Sequence, residues 1–160
     1  MAKKKTTWQE KLADDKDFPK VCEIDSTKSK RWGSGTFVIP APREVDQIMK
    51  QVPARKLTTI DQIRQALAKR HKATIACPIT TGIFAWIAAH AADEAAAEGK
   101  KRITPYWRTL KSGGEINPKY PGGIEAIKAR LEAEGHKVRQ KGKRFLVENF
   151  EAALFQPPTS

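Results

Sequence analysis

The chain is short of cysteine, of acid and of long apolar runs, and each shortage closes off a class of function. Its 160 residues include two cysteines, Cys22 and Cys77. They form no Cys-x-x-Cys pair and no disulfide framework, which reads as two reduced cytosolic thiols. The three histidines, His71, His90 and His136, have no ligand spacing with either cysteine. Neither a metal centre nor any cofactor is therefore expected. No apolar run reaches about 18 residues, so no membrane span is expected. Lys3 to Lys5 are basic but lead into no apolar stretch, which argues against a secretory leader. A length of 160 residues suits one domain with a sizeable core, or a smaller domain with an extension.

What is present is positive charge. Thirty Lys and Arg oppose 18 Asp and Glu, a net charge of +12. An excess of this size favours a polyanionic partner, most often nucleic acid. The charges come in blocks. Lys50, Arg55, Lys56, Arg64, Lys69, Arg70 and Lys72 face a single acid, Asp61. Lys137, Arg139, Lys141, Lys143 and Arg144 have no acid among them. The two blocks form one anion-binding surface if the fold joins them, and two solvated faces if it does not.

Thr7 to Ala13 predicts a short helix capped by Thr7, with Glu10 three residues on. Residues 21–24 and 36–39 predict short strands joined by the polar stretch 25–35, and Trp32 within it suits either an anchoring contact or stacking on a base. Pro42 suits the first turn of a helix with Val45, Ile48, Met49 and Val52 on one face. Thr59 and Gln62 sign the start of a second helix through Ile63, Ala66 and Leu67. Pro78 opens a third, with Ile79, Ile83, Trp86, Ile87 and His90 along one face and Gly99 beyond its end. The last two helices have the spacing of a helix-turn-helix, the second being the reading helix. Residues 136–140 and 144–148 alternate around Lys141-Gly142-Lys143, a β-hairpin with the shape of a wing. Asn149 is placed to cap a last short helix before Pro157-Pro158.

The stretch from Ile103 to Gly135 is the most distinctive. Pro105-Tyr106-Trp107-Arg108 is followed by Gly113-Gly114, Asn117-Pro118 and Tyr120-Pro121-Gly122-Gly123, then by a helical pattern ending in Glu134-Gly135. The order resembles the active-site region of the methylated-DNA–protein cysteine methyltransferases, which carry Pro-Cys-His-Arg, then Tyr-x-Gly-Gly, then Glu-Gly. The resemblance runs from about Pro42 to about Asn149. Tyr106 stands in place of the acceptor cysteine, as an aromatic does in the alkyltransferase-like variants of that family. Ile79 stands at the family's finger arginine, and Ile60 at the tyrosine after the Thr-Thr pair.

The resemblance implies a mainly α fold with small β elements, a winged helix-turn-helix-like domain of the alkyltransferase type over residues 41–155. An extension over 1–40 would precede it, and a disordered tail over 156–160 would follow. It implies a lesion pocket of Tyr106, Trp107, Arg108, Tyr120, Gly122, Gly123 and Glu134. Duplex contacts would come from Thr58, Thr59, Ile79, Thr80, Thr81, Lys111, Lys141 and Lys143. In the family the cysteine thiolate is activated through the histidine and glutamate, because a thiol is a poor nucleophile until deprotonated. A phenol with a pKa of about 10 does not replace it. The expectation is a monomeric, cytoplasmic, nucleoid-associated protein that binds duplex DNA, prefers alkylated guanine and hands the lesion to other repair proteins. Two alternatives stay open: an active alkyltransferase using Cys77, and a generic winged-helix DNA-binding regulator.

Overall fold

The computed structural model describes residues 7–15 and 17–156. The sequence expectations for residues 1–6 and 157–160 fall outside the described residues. Six helices and seven short strands, with three 3₁₀ turns, make up those residues.

The helices start where the capping chemistry places them. Helix α1 (Trp8–Ala13) begins after Thr7, whose hydroxyl accepts the Glu10 N–H. Helix α3 (Pro42–Lys50) has proline in its first turn, and the Glu44 carboxylate accepts from the Ala41 N–H at 2.9 Å. Helix α4 (Ile60–Arg70) starts on Thr59, whose hydroxyl accepts the Gln62 N–H at 3.2 Å. Helix α5 (Pro78–Ala97) is the longest and ends before Gly99, which has a φ of +92°.

Helix α5 is the axle of the fold. Its buried positions are small, Thr81, Ala85, Ala88, Ala89, Ala91 and Ala92, so α1 and α3 approach it closely. The core around it is built from Val45, Ile48 and Met49 of α3 and Ile63 and Leu67 of α4. Ile127 and Leu131 of α6 (Gly123–Ala133) complete it.

Strand β1 (Lys20–Glu23) pairs antiparallel with β2 (Thr36–Ile39), as the alternation predicts. Their connection is not a loop. Residues Ser26–Trp32 form helix α2, capped by the Asp25 carboxylate, which accepts the Thr27 and Lys28 N–H groups. Trp32 packs edge-on against Phe37 with ring centroids 5.1 Å apart, so it anchors the extension. Three two-residue strands escape the sequence pattern. Strand β3 (Thr58–Thr59) pairs in parallel with β5 (Thr109–Leu110), and β4 (Ile75–Ala76) pairs in parallel with β2. The hairpin of β6 (Val138–Lys141) and β7 (Arg144–Val147) is the expected wing. Asn149 opens the last 3₁₀ turn with a φ of +54° and no side-chain bond, so it turns the chain there without capping the turn.

Candidate nucleic-acid interface

Helices α4 and α5, joined through residues 71–77, form the helix-turn-helix. The face of α5 turned from the core carries Ile79, 59% exposed, and Ile83, 46% exposed. These two large aliphatic side chains, one helical turn apart, form an exposed apolar patch at the head of α5. They line a groove of about 670 Å³ with Gly82, Trp86 and His90 on the helix side and Asn117 and Lys119 on the loop side. His90 Nε2 lies 3.3 Å from the Lys119 carbonyl and ties the two walls together. Helix α1 closes one end. The Trp8 ring stacks on His90 at 4.5 Å and meets Trp86 edge-on at 4.8 Å. Glu94 fixes that helix by accepting from the Gln9 side-chain amide and from the Gln9 and Trp8 N–H groups, and these bonds hold its carboxyl below the usual range.

The Tyr106–Arg108 segment is a single 3₁₀ turn with Tyr106 and Trp107 buried. Tyr106 is 4% exposed, edge-on to Trp107 at 5.4 Å and to Tyr120 at 6.3 Å. Burial pushes its phenol pKa up, so the hydroxyl stays protonated. Tyr120 is buried too, and its pKa is likewise raised. Trp107 is 9% exposed: its indole N–H donates to Glu134 Oε2 at 2.9 Å, and Arg130 covers its ring at 4.3 Å. Arg108 donates to Glu134 from Nε and Nη2 at 3.0 and 2.7 Å, and from Nη1 to the Val52 carbonyl at 2.9 Å. Burial disfavours the Glu134 carboxylate. The donors from Arg108, Trp107 and the Arg55 N–H outweigh it and lower its pKa. His136 beside it is kept neutral mainly by burial.

An indole N–H fully engaged with Glu134 has no basic nitrogen to receive a proton, so no base chain reaches position 106. Cys77 is buried at the head of α5 and does not line the groove. Among the described residues, neither cysteine lines that groove.

Other sequence-predicted residues sort by burial. Ile79 is at the surface, and Lys111, Lys141 and Lys143 are exposed, Lys111 facing Glu115 at 3.7 Å. Thr58, Thr59 and Thr81, expected to touch a duplex, are buried: Thr59 caps α4, Thr58 donates to Gln62 at 3.0 Å, and Thr81 donates to the Cys77 carbonyl at 2.7 Å. The Thr80 hydroxyl is also buried and has no hydrogen-bond partner. Gly122 and Gly123, expected to let the loop close on a base, have positive φ of 83° and 69°. Gly122 is needed by the fold itself, since a Cβ there would lie 2.5 Å from that of Ala126. Asn117 and Lys119 were not singled out by sequence. Their loop has no periodicity, and a tertiary contact, His90 to the Lys119 carbonyl, holds it beside α5.

No protein-family model matches the chain, and no curated protein does. Two solved structures do: Schizosaccharomyces pombe Atl1 in complex with damaged DNA containing O6-carboxymethylguanine, and S. pombe ATL in complex with DNA. Each is 20% identical, with a TM-score of 0.52 over 72% of this chain and 94% of the other. The chain has the alkyltransferase-like fold. The fold agrees with the resemblance of the sequence pattern, in which Tyr106 takes the place of the acceptor cysteine.

Proposed function

We propose that the chain is a non-enzymatic DNA-binding protein of DNA repair that holds an alkylated guanine flipped out of the duplex. The groove between α5 and residues 117–119 receives the base. The observation that carries this reading is an open, aromatic- and aliphatic-lined groove on α5; Tyr106, Trp107 and Tyr120, expected from the sequence to form the pocket, are buried and do not line it. Trp86 offers a face for stacking, Ile79 is placed to wedge between base steps, and His90, Asn117 and Lys119 offer polar contacts to base edges. Extruding a base costs a few kcal/mol and costs less where pairing is already weakened, which is a physical source of lesion preference. The wing lysines Lys141 and Lys143 and the net charge of +12 supply attraction to phosphate. The DNA complexes of the two S. pombe structures support the same partner. The protein acts as a monomer in the nucleoid and passes the marked lesion to other repair proteins.

The test is Trp86→Ala in a titration of duplexes with and without one O6-alkylguanine. With stacking worth about 1–3 kcal/mol per base, lesion binding should weaken about tenfold or more while plain-duplex binding changes far less. Equal weakening on both duplexes would place the base elsewhere.

A further inference from the structure

The β1–α2–β2 unit is joined to the helix-turn-helix at the turn itself, with no free linker between them. Strand β2 is hydrogen-bonded in parallel to β4, which lies within the turn two residues before Pro78 opens the reading helix. Thr36 and Thr74 fix this joint in both directions. The Thr36 N–H donates to Thr74 Oγ1 at 3.1 Å, and the Thr74 N–H donates to the Thr36 carbonyl at 3.0 Å. Gly35 allows the close approach, because a Cβ there would lie 2.2 Å from Thr74 Oγ1. Strand β2 thus carries α2 as a shelf beside the turn, with Trp32 packed on Phe37.

That shelf is basic where the turn is basic. Lys30 and Arg31 in the last turn of α2, and Lys72 in the helix-turn-helix turn, are exposed. Among the described residues none of the three has a carboxylate partner, whereas Arg43, Lys50, Arg64, Arg70, Arg108, Lys111 and Arg144 all do. The acids on the unit are Glu23 and Asp25, and Asp25 is engaged in capping α2. Lys28 lies over the Phe37 ring at 4.8 Å.

We infer that α2 and the turn form a second phosphate-contact surface, which binds the duplex backbone flanking the flipped base through Lys30, Arg31 and Lys72. The inference rests on the DNA-binding reading above and gives the extension a role in affinity but none in lesion choice. Phosphate contacts carry no base information, so they strengthen all duplexes alike.

The experiment measures affinity for lesion-bearing and plain duplexes against salt, in the full chain and in Lys30→Gln/Arg31→Gln/Lys72→Asn. Asparagine suits the left-handed backbone of Lys72, whose φ is +54°. Thermal unfolding of both proteins checks that the shelf stays folded. Each lost contact should lower the slope of log affinity against log salt by about 0.9. Three lost contacts make the wild type about 40-fold more sensitive than the variant to a rise from about 50 to 200 mM salt. The ratio of lesion to plain affinity should stay the same. Wild-type binding with an unchanged slope in the folded variant would overturn this inference and leave the DNA-binding reading standing. Failure of the wild type to bind any duplex would overturn both.

Discussion

Replacing Glu134 with glutamine probes how the Tyr106–Arg108 turn is held. Glu134 accepts from Arg108, from the Trp107 indole and from the Arg55 N–H, and both members of the Arg108 pair are largely buried, with side chains 14% and 15% exposed. Removing one partner of a fully buried ion pair costs about 3–5 kcal/mol. Glutamine keeps one acceptor oxygen and the site retains some water, so about 2 kcal/mol is expected here. In a chain of this size that lowers Tm by about 4–8 °C. The pH dependence adds a second signature. Because the folded pKa of Glu134 is lowered, its contribution is complete above the ordinary carboxylate value of about 4.3 and is lost as pH falls through the folded value. Burial lowers the His136 pKa and the Glu134 charge partly offsets that, so at this histidine the variant bears the larger acid penalty, which opposes the narrowing until Glu134 itself is protonated. Urea unfolding from neutral pH down to about pH 3 should therefore show a gap between wild type and Glu134→Gln that narrows in acid. Lesion preference should survive, since Trp107 faces Glu134 and not the groove. A stability loss under about 0.5 kcal/mol, the scale of an ordinary surface change, would refute the cluster as the anchor of this turn.

Three further outcomes follow from the same geometry. Gly122→Ala forces a Cβ into Ala126 at a φ of +83°, and should cost about 1–3 kcal/mol in urea unfolding. Thr59→Ala removes the α4 cap and should cost about 1 kcal/mol, read by the same titration. Tyr106→Cys should not restore alkyl transfer, because Trp107 supplies no base. Intact mass after incubation with alkylated duplex should be unchanged, and a gain of one alkyl group would contradict that reading.

The helices and their starts were legible because capping chemistry is local: Thr7, Thr59 and the prolines at 42 and 78 each act within one turn. Helix α2 was not, since Ser26–Trp32 is polar almost throughout and has no apolar stripe to set a period. Strands β3, β4 and β5 are two residues long, and their pairing is a tertiary event with no pattern of its own. At the site, the α5 face could be read from spacing alone. The direction of Trp107 could not. Its partner Glu134 is 27 residues away, and that pairing has no local pattern. The burial of Thr58, Thr59 and Thr81 was hidden for a related reason: a threonine reads the same whether its hydroxyl meets a phosphate, caps a helix or bonds the preceding turn.

Gripping without reacting is tested most directly by titrating the wild-type chain side by side into two labelled duplexes that differ only in one O6-alkylated guanine. Tighter binding to the alkylated duplex, with that lesion recovered intact from the complex, is the expected result. Equal affinity for the two duplexes would contradict it.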